Sequence, residues 1–310
     1  MKKTIFVLIM TVLLLLCACK SSDNGENGDA NGSSVGNTEF LPNMGDSIVS
    51  EADGNGKLPQ YSPVSKEDAE SALSLVSDSF DEDKTEKLAE GLSLRSISFG
   101  DSKAYILTAD LSKYSIKAST PYGLAPDGTL QSLGGQKQLS EINGVKAVAA
   151  IAANETDRAT AVPKGMIVTD GKVLYKTSSN DGSVFFGLYE DGKPFACTYA
   201  EYGEIYRNKV TEMVSAAHII ALDGKTVAVA GSVYEEKKLR TGAGFSADGT
   251  KLCMVYGENL DISQLSNLLI GSGCSVAVNF GNGGELGMLC GDNLYGANVS
   301  VGPALLITEK

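Results

Sequence analysis

RTGAGFSADGTKLCMVY, residues 240–256, reads as two strands joined at Asp248-Gly249. An Asp-Gly pair between alternating apolar residues is a strong hairpin signal, because the tight turn needs a left-handed backbone that glycine and aspartate tolerate. The same pair recurs at Asp170-Gly171, Asp191-Gly192 and Asp223-Gly224. Two of these hairpins resemble each other. Gly187 precedes Asp191 by four residues as Gly244 precedes Asp248, and Tyr199 and Tyr256 each follow their aspartate by eight. The spacing predicts two pseudo-equivalent hairpins in one sheet system.

Downstream, Asp261 is placed to cap a helix from Ile262 to about Ile270, with Ile262, Leu265, Leu268 and Leu269 on its apolar face and Gly271-Ser272-Gly273 ending it. A strand from Cys274 to Phe280 then opens into Gly281-Asn282-Gly283-Gly284. Such a loop can present backbone N–H groups to a ligand, or can be a plain tight turn. Upstream, residues 96–99, 104–111 and 114–118 carry strand patterns. Ser65 with Glu67 and Asp68 opens a helix whose apolar positions are Ala69, Ala72, Leu73 and Val76, and a second short helix is predicted over Lys84 to Leu92. The fold class expected is α+β: mixed, mainly antiparallel sheets with Asp-Gly hairpins and a few packed helices.

The first residues differ in kind. Lys2 and Lys3 precede an apolar run from Ile5 to Leu16, too short to span a bilayer, and Leu16-Cys17-Ala18-Cys19 follows. This pattern resembles a bacterial lipobox, so residues 1–18 are expected to be a signal peptide and Cys19 the lipidated N-terminus of an exported protein held on the cell membrane. Residues 19–63, rich in Gly, Asn, Asp and Ser, read as a stalk. Residues 64–92 follow as a short helical lead-in, and 93–310 as the main domain. Losing Lys2 and Lys3 takes the net charge of −12 to −14. So acidic a chain argues against nucleic-acid binding and leaves lipid as the means of membrane attachment.

Other chemistries find little support. His218, the only histidine, lies in an apolar run and reads as a satisfied core residue. No Gly-x-Ser-x-Gly elbow precedes a helix near His218, no Cys-x-x-Cys is present, and the acidic run Asp78, Asp81, Glu82 and Asp83 lacks calcium-loop spacing. No metal or cofactor is expected. Cys197, Cys253, Cys274 and Cys290 suit either disulfides or buried thiols. An extracellular solute receptor is disfavoured, because no pattern of two similar lobes is seen.

Residues 240–245 before Asp248-Gly249 resemble the Arg-Thr-Ala-x-Gly hairpin of the phosphodiester glycosidase family. Its later landmarks, a helix, an Asn-Leu-Asp-Gly-Gly-Gly-Ser-Ser segment and a Val-x-x-Ala-Leu segment, correspond to the helix from Ile262, residues 279–286 and residues 301–305. Gly165 to Val173 is similar to the stretch after the family's first motif. The resemblance covers roughly Ile97 to Ile307 and implies a domain acting on a sugar phosphodiester of an envelope or extracellular glycan.

Departures are as informative. Gly281 stands where the family carries aspartate, Asn282 where it has its first glycine, and Glu285 where it has serine. Its earlier asparagine motif falls on Ala152-Ala153-Asn154-Glu155, so Ala152 replaces the asparagine unless Asn154 serves from a shifted position. The resemblance then implies Arg240 and Glu285 as the catalytic residues, with Arg240 holding phosphate and Glu285 supplying the missing carboxylate. Glu155 and Asp157 are alternative carboxylates. Asn154, Thr241, Asn279, Asn282, Gly283 and Gly284 are the expected binding residues. A domain that binds the glycan without cutting it fits the same residues, and the oligomeric state is open.

Overall fold

The computed structural model describes residues 59–154, 156–157, 160, 162–176, 184–202, 209–227, 229, 231–282, 286–297 and 300–310. The elements begin with α1 (Lys66–Val76), β1 (Glu82–Ala89), β2 (Leu92–Phe99), β3 (Ser102–Asp110) and β4 (Tyr114–Ser119). After a 3-10 turn at Pro121–Gly123 come β5 (Gln131–Ser132), α2 (Leu133–Ile142), β6 (Ala147–Ala152), β7 (Met166–Thr169) and β8 (Lys172–Lys176). Next are β9 (Val184–Tyr189), β10 (Pro194–Thr198), α3 (Tyr199–Tyr202), β11 (Val210–Ala216), β12 (His218–Leu222), β13 (Lys225–Thr226) and α4 (Ser232–Glu235). The chain closes with β14 (Lys238–Phe245), β15 (Lys251–Leu260), α5 (Ile262–Gly271), β16 (Val276–Asn282), β17 (Gly287–Cys290), β18 (Asn293–Gly296), β19 (Ser300–Val301) and β20 (Ala304–Glu309).

Three larger antiparallel sheets form, as the strand patterns predict. Eight strands run in the order β1-β2-β3-β15-β14-β16-β12-β13, five in the order β10-β9-β11-β7-β8, and five in the order β18-β17-β6-β20-β4. Each Asp-Gly pair joins neighbouring antiparallel strands. Asp170 and Asp223 both take positive φ, at 50° and 51°, a left-handed conformation that aspartate tolerates and a β-branched residue would adopt only with strain.

The eight-stranded sheet is covered on both faces. One face packs on α1 and α5, through Ile106, Val255, Leu265, Leu269 and Ala277. The opposite face contributes Ala243, Phe245, Met254, Val278 and Phe280 to the largest core, shared with the five-stranded sheets. Both helices begin as their sequences direct. The Ser65 side chain accepts from Asp68 N, and Asp261 forms a capping box with Gln264. At the other end of α5, a Cβ on Gly271 would sit 2.5 Å from Leu73 Cγ, so glycine there lets α1 approach closely.

Two expectations are corrected. The segment predicted as a helix over Lys84 to Leu92 is strand β1 and its turn, paired from Glu82↔Ser98 to Ala89↔Leu92. Its charged, exposed residues suit a solvated helix as well as an edge strand, and pairing with β2 decides between them. Gly91, at φ 78°, makes the reversal. The two similar hairpins do not share a sheet, since β9–β10 belongs to a five-stranded sheet and β14–β15 to the eight-stranded one. They face each other instead. Phe186 and Phe245 stack with centroids 4.2 Å apart and planes 4° from parallel.

Candidate functional site

Strand alternation sends Arg240 and Thr241 to opposite faces of β14. A Cβ on Gly242 would meet Leu265 and Leu269, so the even-numbered residues of this stretch face α5. Ala243 and Phe245 lie in the core between the sheets. Thr241 follows them, and its Oγ1 donates to Ala152 O at 3.2 Å, tying β14 to the end of β6. Across β14 and β16, Thr241 pairs with Gly281 and Arg240 with Asn282. Residues 152–154, 240–241 and 279–282 thus converge at one end of the domain, although they are far apart in the chain. From there the chain leaves the eight-stranded sheet on β16 and next pairs as β17 in a five-stranded sheet, beside β6, with Met288 opposite Ile151.

Arg240 is fully buried, and carbonyl groups surround its guanidinium. Nε donates to Leu260 O at 2.8 Å, and Nη2 donates to Glu236 O at 2.8 Å and Tyr234 O at 3.2 Å. Burial lowers its pKa, opposed by the charges of Asp261, Tyr234 and Glu236. The arginine therefore clasps α4 and the end of β15 to β14. To hold a phosphate it would have to leave these carbonyls or bind on the α5 side of the sheet, away from Thr241.

Asn279 is equally buried and lies opposite Gly242, with its amide nitrogen placed to donate to Gly281 O (3.0 Å) and Thr241 O (3.3 Å). Asn154 takes φ 65°; its Nδ2 donates to Lys164 O at 3.1 Å and its Oδ1 accepts from Ser215 N at 3.2 Å. It braces the loop after β6 against β11. A Cβ at Gly281 would find only Leu286 Cδ2, at 3.8 Å, among the described residues, so backbone crowding does not explain the missing carboxylate. Gly283, Gly284, Glu285, Glu155 and Cys19 lie outside the described residues, as does the side chain of Asn282.

Sequence reasoning missed several members of this neighbourhood. Ser215 Oγ accepts from Met166 N (2.7 Å) and donates to Met166 O (3.0 Å), completing the brace at Asn154. A lone serine in an apolar strand carries no such signal. Glu212, on the same strand, accepts from Ala118 N (2.8 Å) and Asp170 N (3.0 Å) and joins the edge of β4 to β7. Burial pushes its carboxyl up to about 7, against the pull of those two N–H groups and Lys117. Tyr105, Tyr256 and Tyr295 gather beside Leu286, in a constellation drawn from strands of two sheets.

His218 is half-buried, with Nε2 hydrogen-bonded to the Tyr234 hydroxyl and the two rings edge to face. The four cysteines are buried thiols. Among the described residues no group of three or more His, Cys, Asp or Glu side chains is placed to hold a metal ion, and no helix is long and apolar enough to cross a membrane.

A family model of phosphodiester glycosidases matches residues 145–308. Among solved structures, the chain is similar to the zebrafish N-acetylglucosamine-1-phosphodiester alpha-N-acetylglucosaminidase catalytic domain, auto-inhibited by its pro-peptide. That match has 15% identity and a TM-score of 0.56, over 74% of this chain and 82% of that one. A hypothetical protein from Synechocystis matches with 9% identity and a TM-score of 0.53, over 74% of this chain and 64% of that one. At such identities the likeness is one of fold. A search of the curated proteins finds no match.

Proposed function

The chain belongs to the phosphodiester glycosidase family, and on that premise we propose that it binds a sugar phosphodiester of an envelope or extracellular glycan while lipid on Cys19 holds it at a bacterial cell membrane. The observation that carries the binding reading is the convergence of three motif segments: Thr241 is bonded to Ala152 and paired with Gly281. In this reading the ligand sits where residues 152–154, 241 and 281–282 meet, with its phosphate on loop N–H groups. Binding without hydrolysis is favoured, because position 281 offers no carboxylate and the buried Arg240 is engaged by backbone carbonyls.

Hydrolysis through Glu285 is the second reading, and one contact favours it. Leu286, the next residue in the chain, packs against the position where the family's aspartate would begin. There the carboxylate would activate water or attack C1 as the C1–O bond to phosphate breaks, and the departing phosphate monoester would take a proton. Methyl N-acetylglucosaminyl phosphate separates the readings. Saturable binding with no turnover above blank supports the first; turnover abolished by Glu285→Gln supports the second. Neither binding nor turnover across a panel of sugar phosphodiesters sinks both. The anchor is tested separately, by the mass of the mature N-terminus: a diacylglyceryl group on Cys19 is expected, and an unmodified Cys19 refutes it.

A further inference from the structure

Three tyrosines from two sheets meet near Leu286. Tyr256 and Tyr105 are paired across β15 and β3, with rings stacked at 6.4 Å and 24°. Tyr295, from β18 in the other sheet, lies over Tyr105 with centroids 4.3 Å apart and planes tilted 37°. Tyr256 is buried, whereas Tyr105 and Tyr295 are part-exposed.

The cluster adjoins the candidate site by two routes. Along the eight-stranded sheet, Gly281, Thr241, Tyr256 and Tyr105 form one cross-strand row. At about 4.8 Å per strand, Tyr256 stands roughly 10 Å from Gly281. Leu286 closes the gap from the other side. Its side chain faces Gly281, and its carbonyl oxygen lies 2.9 Å from where a Cβ on Gly296 would be. That same Cβ would lie 3.0 Å from the Tyr256 ring, so glycine at 296 lets β18 bring Tyr295 against the cluster.

A buried, supported ring behind part-exposed ones is a rigid apolar surface with polar edges. Carboxylate sits at that edge, where the Tyr256 hydroxyl donates to Glu258 Oε1 at 3.4 Å. Glu258 itself is part-exposed and can accept from further hydroxyl groups. A pyranose matches this combination, because its C–H face is apolar and its equatorial hydroxyls donate around the rim. An anionic group does not match it, since Glu258 would repel the charge. The two halves of a sugar phosphodiester would thus call for separate places, with the anion kept away from Glu258 and the ring at the tyrosines.

We propose that Tyr295, backed by Tyr105 and Tyr256, presents a stacking face for a neutral sugar ring of the ligand bound where residues 152–154, 241 and 281–282 meet, which rests on the binding reading above. The test titrates the purified full chain calorimetrically with methyl N-acetylglucosaminyl phosphate and, in parallel, with dimethyl phosphate. Tyr295→Leu keeps apolar bulk and removes the aromatic face, and Tyr295→Phe keeps the face. The sugar diester is expected to bind about three- to tenfold more weakly to Tyr295→Leu and within about twofold of wild type to Tyr295→Phe. Dimethyl phosphate should bind all three alike. Equal affinity of wild type and Tyr295→Leu for the sugar diester, with matching thermal melts, overturns the subsite and leaves the binding reading standing. Failure of the wild type to bind the sugar diester overturns both.

Discussion

The two faces of β14 carry the same motif in opposite ways. On the α5 face, Arg240 and Gly242 are packed without slack: the guanidinium is spent on backbone carbonyls, and a Cβ at position 242 would lie 2.6 Å from Val278 O. On the face toward the five-stranded sheets, Thr241 makes a single bond to Ala152 O and Gly281 has room beside it. One face of the motif is a structural clasp and the other is the side on which a ligand can be met. Family resemblance alone does not separate these roles, because both faces are equally parts of the motif.

Substitutions can break this contrast, and the largest effect is expected at the clasp. Arg240→Met should cost about 3–5 kcal/mol, because several buried carbonyls lose a charged donor together. Urea unfolding measures it, and a loss below about 1 kcal/mol would show that the arginine is not structural. Next, Gly242→Ala should cost about 1–3 kcal/mol through overpacking against Val278 and Leu265, while Gly281→Asp should cost less than about 1 kcal/mol. Equal losses at the two glycines would erase the distinction between the faces. Gly281→Asp also returns the family carboxylate, so turnover of a sugar phosphodiester by this variant, absent in wild type, would identify position 281 as the lost catalytic step. Thr241→Val should cost about 1 kcal/mol, the worth of one buried hydrogen bond. It should weaken sugar-phosphate binding as well; unchanged binding would move the ligand away from this face.

The smallest and most conditional effect is a pH dependence at the join between the two five-stranded sheets. Glu212 has a carboxyl raised in the folded state, to about 7, chiefly by burial. The folded protein therefore holds that proton more tightly than the unfolded chain does. Its contribution to stability is largest below the unfolded value and declines as pH rises through the window up to about 7. Denaturant midpoints measured at several pH values should show this decline, and Glu212→Gln should flatten it. A wild-type slope equal to that of Glu212→Gln would mean that the two N–H donors and Lys117 cancel the effect of burial, and a slope of opposite sign that they outweigh it.

Much of the fold was legible because its signals are local. Each Asp-Gly turn, the Ser65 cap and the Asp261 capping box depend on residues within a few positions of one another. Local reasoning failed where two local states were nearly equal. Residues 84–92 carry charge compatible with either a solvated helix or an edge strand, and a partner strand decided the outcome. The candidate site was half legible. The motif residues were named from their order in the chain, but Ser215, Glu212 and the tyrosine cluster draw on strands whose adjacency no spacing reveals.

By itself, then, the sequence determined the hairpins, the helix ends, the family and the loss of a carboxylate at Gly281. Period-2 alternation even dictates that Arg240 and Thr241 point opposite ways. Which direction meets α5 and which meets β6 was decided only by the tertiary structure. The layer covering each face is built from residues far away in the chain, and burial against that layer determines whether a polar side chain is spent on the fold or left for a ligand.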